Sequence, residues 1–320
     1  MNMNRPDTTE DVKSKDYTNK SLQKDLNPVT MKASKTPAIE SSDQTKAAKL
    51  EPLVYRVEEI AQLLAISPRA AYNLCNTTKD FRVLRIGTSI RVNKQLYSKQ
   101  SDYQRIDIFE TPEFGRVLTL DGNVMLTERD EFIYDEMIVH VPMAVHKEAK
   151  DILVIGAGDG GVVRELTRYD RVERIDLVEM DPQVVEACRA YLPGNACRMD
   201  DRRVHIYFEN ALKYIRRCEE EYDLIIVDSS DPFGPSEGLF TREFYGSCFN
   251  ALKEDGIMIN QQGSPFYRHD AEAMQRSHKR IASTFPISKV YQAHIPTFAA
   301  GYWLFGFASK KYHPVDDFEA

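Results

Sequence analysis

Five short apolar segments, separated by helix-like stretches, constrain the fold of this chain more than any other feature of its sequence. They are rich in Val, Ile and Leu, and they lie at 151–158, 174–181, 203–210, 222–229 and 256–262. Continuous apolar strands of this length are typical of a parallel sheet that is covered on both faces. Helix-like stretches fall between them at 160–169, 182–191, 211–220 and 239–253. The alternation predicts an α/β fold, with a doubly wound Rossmann-like domain over residues 151–320.

The first strand ends in a glycine-rich turn, Gly156-Ala-Gly-Asp-Gly-Gly161, which leads directly into a helix-like stretch. Glycines at such a turn let a ligand approach the backbone closely, so Gly156 and Gly158 are candidate nucleoside-binding residues. Asp159, in the middle of the turn, places a carboxylate among the glycines, which disfavours a dinucleotide. The turn therefore favours a ligand of the S-adenosylmethionine type.

Polar residues end the next two strands. Glu179 lies 23 residues after Gly156, at a strand end where a carboxylate can accept hydrogen bonds from both hydroxyls of a ribose. Asn210 ends the third strand and is a natural partner for an adenine amino group. A surface acid is the alternative interpretation of Glu179, but its spacing from the glycines favours the ribose.

The fourth strand ends in Asp228-Ser-Ser-Asp-Pro-Phe-Gly-Pro235. Its two carboxylates, Asp228 and Asp231, lie at the carboxyl end of a central strand, where open α/β sheets bind their ligands. A dense acidic stretch upstream, 127–136, contains Tyr134. The alternative interpretation of that stretch is a solvated acidic helix face.

The residues before the α/β domain divide into three segments. Residues 1–52 are polar and have almost no large apolar side chains, which predicts a disordered tail. Residues 53–95 predict two short helices and a basic hairpin, whose last strand runs on through residue 100. Residues 96–150 predict an N-terminal antiparallel β-hairpin domain, with strands at 103–109 and 114–120 and a connecting helix.

The segment 53–95 resembles the small winged helix-turn-helix of excisionase-like DNA-binding proteins. Residues 53–100 carry 8 Lys and Arg against 3 Asp and Glu, whereas residues 101–320 carry 25 against 38. The resemblance implies that the second helix presents Arg69, Tyr72 and Asn73 to the major groove of DNA. It also implies that phosphates are contacted by Arg82, Arg85 and Arg91. A helical pair that packs on the enzyme or mediates dimerisation is the alternative.

Composition excludes several classes of protein. The five cysteines form no CxxC pair, which argues against a disulfide framework or a zinc site and favours a reducing cytosol. No apolar run approaches the roughly 18 residues of a membrane span, and no secretory signal is evident. We therefore predict a cytoplasmic protein.

Several motifs together resemble the polyamine aminopropyltransferases, most closely the spermidine synthases. They are LDGNVMLTERDEFIYDEM, the GAGDGG turn, VEMD, VDSSDPFGPSEGLF and IPTFAAG, and the resemblance covers roughly 96–312. It implies a fold of the S-adenosylmethionine-dependent methyltransferase type. It also implies that the aminopropyl group of decarboxylated S-adenosylmethionine is transferred to putrescine by in-line displacement. The products would be spermidine and methylthioadenosine, with no cofactor, and the resemblance implies a homodimer.

The resemblance also assigns roles to individual residues. Asp228 would be the general base, and Tyr134 would orient the acceptor amine. The residues implied in donor binding are Gln104, Gly156, Gly158, Asp159, Glu179, Asn210, Ala211 and Pro235. The residues implied in acceptor binding are Asp135, Asp159, Asp231 and Gln261, and no metal ligand is implied.

Three positions depart from the pattern of the family. Asp135 stands where His or Gln is usual, Asn210 where Asp is usual, and Phe298 where Tyr is frequent. We expect Asn210 to weaken donor binding, Asp135 to add negative charge beside the acceptor, and Phe298 to remove a hydroxyl. These changes leave agmatine, cadaverine or a longer polyamine as alternative acceptors. The sequence also leaves open a methyltransferase, or a DNA-binding regulator whose enzyme-like domain senses polyamines.

Overall fold

The computed structural model describes residues 67, 92–229 and 234–318, and the predictions for 1–52 and for most of 53–95 lie outside this part of the chain. The described chain begins with a four-stranded antiparallel sheet. Its strands are β1 (Lys94–Gln100), β2 (Arg105–Thr111), β3 (Gly115–Leu120) and β4 (Asn123–Thr127). Asp121 and Gly122 both have positive φ, 51° and 84°, as the central residues of a tight hairpin turn require. The predicted hairpin is confirmed, and β1 joins it as an outer strand.

A seven-stranded sheet forms the centre of the larger part of the chain, in the order β10-β11-β9-β8-β5-β6-β7. The strands are β5 (Asp151–Gly156), β6 (Arg174–Glu179), β7 (Val204–Phe208), β8 (Tyr222–Asp228), β9 (Leu252–Gly263), β10 (Ile287–Ala293) and β11 (Trp303–Ser309). The first five pair in parallel and confirm the five strands predicted from the sequence. Strand β11 pairs antiparallel with both β9 and β10, which makes the sheet mixed.

Helices cover both faces of this sheet. They are α1 (Glu131–Val145), α2 (Gly161–Leu166), α3 (Pro182–Tyr191), α4 (Pro193–Ala196), α5 (Ala211–Ile215), α6 (Arg242–Ala251) and α7 (Arg268–Ala282). Helices α2 and α5 end earlier than the sequence patterns predicted. One face packs against Ile138 of α1 and Val163 of α2, and the opposite face packs against Phe244 and Cys248 of α6. The doubly wound α/β fold is therefore confirmed.

The antiparallel sheet also packs against the α/β domain. Ile106, Ile108 and Leu118 lie in one buried cluster with Ala187 and Cys188 of α3. This packing sets the start of β2 beside the end of β6. Among the described residues, no helix is both long and apolar enough to cross a membrane.

The strand order places a ligand crevice at a defined edge. From β5 the chain continues to β6 and β7 on one side, and β8 then pairs with β5 on the other side. Ligands of open α/β sheets bind at the carboxyl ends of the strands where the order reverses in this way. The ends of β5 and β8 are Gly156 and Asp228, so two of the predicted site residues lie at this point.

Candidate active site

The glycine turn lies directly against the end of β8. Gly156 has φ +81°, and a Cβ built on it would lie 2.0 Å from the backbone oxygen of Asp228. The same oxygen accepts a hydrogen bond of 3.2 Å from the backbone N–H of Ala157. Only glycine fits such a close approach with positive φ. The sequence therefore brings the turn and Asp228 together through the backbone itself.

Glu179 lies over the second glycine of the turn. A Cβ on Gly158 would be 2.8 Å from Glu179 Oε2, so glycine leaves room for the carboxylate. The other oxygen, Oε1, accepts a 2.9 Å hydrogen bond from the N–H of Asp181. Burial raises the pKa of Glu179 to about 7, although the backbone hydrogen bonds oppose this shift. A carboxylate held in this position is available to hydroxyl donors of a ligand seated on the turn.

Gln104 reaches the same region from the antiparallel sheet. Its Nε2 donates a 3.2 Å hydrogen bond to Asp181 Oδ2, which also accepts from Ser101 Oγ at 2.6 Å. Asp181 caps α3, because its Oδ1 accepts from the N–H of Gln183 at 3.0 Å. Gln104 is thus tied to the helix that follows Glu179, and it lies beside the predicted donor site.

Tyr134 of α1 donates a short hydrogen bond from its hydroxyl to Asp228 Oδ1. Burial raises the pKa of Asp228 to about 7, the charge of Asp159 adds to the shift, and the Tyr134 hydrogen bond opposes it. A carboxyl with a pKa near 7 is matched to proton transfer at neutral pH. The two residues that the sequence assigned to catalysis are therefore in direct contact.

Asp159 projects into the same crevice from the glycine turn. Its Oδ1 accepts a 2.9 Å hydrogen bond from the N–H of Gly161. Burial raises its pKa, and the neighbouring charge of Glu131 acts in the same direction. Asp159, Asp228 and Glu179 each remain half-buried rather than sealed, so the crevice presents several acidic groups that attract a cationic ligand.

Asp135 lies in a buried position that disfavours the negative charge expected from the sequence. It is 4% exposed, and a Cβ on Gly161 would lie 1.9 Å from its Oδ2. Burial raises the pKa of Asp135 well above its usual range, and the nearby Asp159 and a hydrogen bond with Glu131 raise it further. The Asp135 carboxyl therefore packs against the start of α2, where burial disfavours its charged form and Arg164 Nη2 lies 3.7 Å from its Oδ2.

Two further amide side chains of the predicted site, Asn210 and Gln261, form hydrogen bonds with the backbone. Asn210 Oδ1 accepts from the N–H groups of Leu212 at 2.9 Å and Lys213 at 3.3 Å, which caps α5 just before Ala211. Gln261 is 3% exposed, and its Nε2 donates to the carbonyl of Ser229 at 2.9 Å. Gln261 thus fixes the backbone that follows Asp228.

Two predicted site residues fall in the segment after β8. Asp231 lies outside the described residues. Pro235 lies in the 3-10 helix Gly234–Phe240, and its side chain is outside the described part of the chain. Their implied roles, orienting the acceptor and lining the adenosine pocket, stay predictions.

The far wall of the crevice includes Phe298, together with two residues that sequence reasoning missed. Phe298 packs on Tyr134, with ring centroids 5.9 Å apart, and on Trp303 at 4.6 Å. Asp130 and Thr297 are hydrogen-bonded to each other beside this wall, 167 residues apart in the chain. An Asp just before a helix looks like an ordinary cap, so no local signal distinguishes Asp130.

Two groups of acidic and His side chains in the described chain come close enough to share a metal ion: Glu136, His140 and Glu165, and His146, Asp223 and Asp255. In each group a carboxylate is already paired with a cation. Glu165 Oε2 lies 2.6 Å from Arg168 Nη1, and Asp223 Oδ2 lies 3.0 Å from Lys253 Nζ. These pairings favour a structural role for both groups.

Comparisons with known proteins identify the family of this chain. Residues 131–318 match the spermine/spermidine synthase domain, and residues 79–128 match the spermidine synthase tetramerisation domain. A polyamine aminopropyltransferase from Alkaliphilus oremlandii is 64% identical over 229 residues, which cover 72% of this chain and 81% of that protein. Another, from Clostridium beijerinckii, is 61% identical over 232 residues, which cover 72% of this chain and 82% of that protein.

Solved structures give the same result. A spermidine synthase in complex with the transition-state analogue AdoDATO superimposes with a TM-score of 0.70 at 42% identity, covering 75% of this chain and 87% of that chain. The spermidine synthase from Thermotoga maritima superimposes with a TM-score of 0.69 at 41% identity, covering 75% and 86%. The chain is therefore an enzyme, a transferase of the polyamine aminopropyltransferase class. It belongs to the spermine/spermidine synthase family.

The match to the tetramerisation domain bears on the predictions for the N-terminal segments. It begins at residue 79, inside the segment 53–95 that resembles a helix-turn-helix, and it indicates that the chain forms an oligomer. The homodimer and the DNA contacts stay predictions. The six residues implied in those contacts lie outside the described part of the chain.

Proposed function

We propose that this enzyme transfers the aminopropyl group of decarboxylated S-adenosylmethionine to putrescine, giving spermidine and methylthioadenosine. The observation that carries the proposal is the contact between Tyr134 and Asp228 at the end of β8, beside the glycine turn with its acidic neighbours. The position of Glu179 over Gly158 supports a ribose at the turn, and Asp159 supports an ammonium group nearby.

The chemistry of this transfer matches the residues at the site. The nitrogen lone pair of the acceptor attacks the aminopropyl carbon bonded to sulfur, so a C–N bond forms as the C–S bond breaks. The bonding pair goes to sulfur, whose positive charge is neutralised as the thioether forms. The proton that the amine must lose goes to Asp228. Alignment of nitrogen, carbon and sulfur in one crevice supplies the remaining acceleration, of the order of 7–11 kcal/mol for well-oriented reactants.

Asn210 is proposed to contact the adenine through its amino group rather than its oxygen. The oxygen already accepts two backbone hydrogen bonds at the start of α5, so Nδ2 is the group left to face a ring nitrogen acceptor. Such a hydrogen bond joins two uncharged groups, the Asn210 amide and the adenine ring. It supports the expectation of weaker donor binding than a carboxylate at this position would give.

The pH dependence of the reaction should follow Asp228. With a pKa of about 7, its carboxyl is protonated at lower pH and cannot accept the proton of the ammonium. We therefore expect kcat/KM for the amine to rise as pH increases through about 7 and then to level off. Initial rates measured across this range test the expectation. A profile that is flat through neutral pH contradicts it.

The acceptor is tested by product identification. Purified enzyme is incubated with decarboxylated S-adenosylmethionine and, separately, putrescine, cadaverine, agmatine and spermidine, and the products are identified by mass spectrometry. We expect the highest kcat/KM with putrescine, because burial disfavours the charged form of Asp135 and the Arg164 guanidinium lies 3.7 Å from its carboxyl. A clear preference for another amine would overturn the choice of putrescine and assign the difference to Asp135 and Phe298.

Two further outcomes would point to a different kind of protein. Methyl transfer from S-adenosylmethionine itself, with no preference for the decarboxylated donor, would indicate a methyltransferase. Absence of product with every amine would favour a DNA-binding regulator. Salt-dependent DNA binding by the full chain, lost when Arg69 and Arg85 are both replaced by alanine, would then support that function.

A further inference from the structure

Asp130 occupies the position just before α1, where Asp commonly accepts a hydrogen bond from the first turn of the helix. Its side chain makes no such bond in this structure. Both oxygens are instead used for other contacts: Oδ1 accepts from Thr127 Oγ1 at 2.6 Å, and Oδ2 accepts from Thr297. The carboxyl is 5% exposed, so these bonds take the place of water. The side chain of Asp130 therefore binds a segment distant in sequence instead of capping α1.

The contact with Thr297 is double. Asp130 Oδ2 accepts from the backbone N–H of Thr297 at 2.9 Å and from its hydroxyl at 2.6 Å. Thr297 is itself buried, at 7% exposure. Two donors on one buried carboxylate oxygen form a strong and directional attachment. The start of α1 and the segment 295–301 are thereby fixed to each other.

The attached segment is a compact loop that presents an aromatic ring. It is closed by backbone hydrogen bonds from Phe298 to Ile295 and from Gly301 to Phe298, at 3.0 and 2.8 Å. Ala300 has φ +63°, a conformation that L-residues rarely adopt. Phe298 lies next to Thr297 and packs on Tyr134, the residue that donates to Asp228.

We infer that Asp130 is a positioning residue, which anchors the loop 295–301 so that Phe298 holds Tyr134 against Asp228 on the acceptor side of the crevice. The inference rests on the proposed function for its kinetic consequences, but the anchoring itself is a property of the fold. Asp130 acts through Thr297 and Phe298 and touches neither substrate. Its removal should therefore alter use of the amine more than use of the donor, whose turn and Glu179 lie on other elements.

The test uses Asp130→Ala, with Asp130→Asn as the matched control. Asparagine can keep an oxygen toward Thr297 and present its amino group to Thr127 Oγ1. We expect Asp130→Ala to lower kcat/KM for the amine about 10- to 100-fold, as small misplacements of reacting groups do, and to change KM for the donor little. Asp130→Asn should retain most of the activity. Equal losses for amine and donor would overturn the inference.

A second measurement is independent of activity. Trp303 is the only tryptophan of the chain, and its ring contacts Phe298. Release of the loop should make Trp303 more accessible to acrylamide in Asp130→Ala but not in Asp130→Asn, with Phe298→Ala as the positive control. Unchanged quenching in Asp130→Ala overturns the anchoring. If the wild-type enzyme turns over no amine, the proposed function is wrong. Acrylamide quenching of Trp303 then still tests whether Asp130 anchors the loop.

The pair Thr297→Val and Thr297→Ser covers the case in which Asp130→Ala does not fold. Valine removes the hydroxyl that donates to Asp130 and keeps the backbone N–H, whereas serine keeps both donors. We expect increased quenching and a lower kcat/KM for the amine with valine but not with serine. If the two variants behave alike in both measurements, the inference is wrong.

Discussion

Asp228→Asn is expected to lower kcat by about 10²–10⁴-fold, the range that a positioned general base contributes. Asparagine keeps an oxygen that can accept the hydrogen bond from Tyr134, so the change removes the proton acceptor and little else. Single-turnover rates with saturating amine and donor measure the loss directly. Binding of the donor should be retained, because Glu179 and the glycine turn are unchanged.

Two controls show whether the loss is chemical. Asp200→Asn removes a carboxylate that is 82% exposed at the surface, and it should leave kcat unchanged. The free energy of unfolding gives the second control, since a carboxyl whose pKa is raised by folding destabilises the folded state as pH rises from about 4 to about 7. Asp228→Asn should therefore be more stable than wild type above pH 7. Retention of wild-type kcat would remove Asp228 from the mechanism.

Glu179→Gln is expected to raise KM for the donor about 30- to 100-fold at a pH above 7, where the carboxyl is ionised. Hydrogen bonds to a charged acceptor are worth roughly 1.5–3 kcal/mol each, and a factor of ten corresponds to about 1.4 kcal/mol. The proposed contact gives two such bonds to the ribose, which the amide weakens. Measurement of KM for the donor at saturating amine, together with binding of methylthioadenosine, tests this expectation.

The matched control replaces a glutamate at the opposite end of the same strand, β6. Glu173, just before β6, is 64% exposed and paired with Lys150, so Glu173→Gln should leave donor KM unchanged. The KM for the amine should change much less than the KM for the donor in Glu179→Gln. Equal shifts in both constants would indicate a general disturbance of the crevice and would argue against a ribose at Glu179.

Much of the fold could be predicted from the sequence, because apolar runs and turn residues are local signals. The five parallel strands and the hairpin at Asp121-Gly122 follow from such signals. Strands β10 and β11 do not, since the insertion of β11 between β9 and β10 depends on pairing between distant segments. Helix lengths at α2 and α5 also differed, because both helices end in turns closed by i→i+3 backbone hydrogen bonds, from Tyr169 to Leu166 and from Cys218 to Ile215.

The sequence by itself determined where the acidic groups and the glycine turn meet. Parallel strands end at one edge of a sheet, so Gly156, Glu179 and Asp228 had to lie near one another once the strands were identified. Only the tertiary structure decided which carboxyl groups are buried and what they contact. The pKa of Asp135 is raised because the residue is buried, and Asp130 binds Thr297 because distant segments pack together. Burial and long-range contact are properties of the folded chain, which no local pattern encodes.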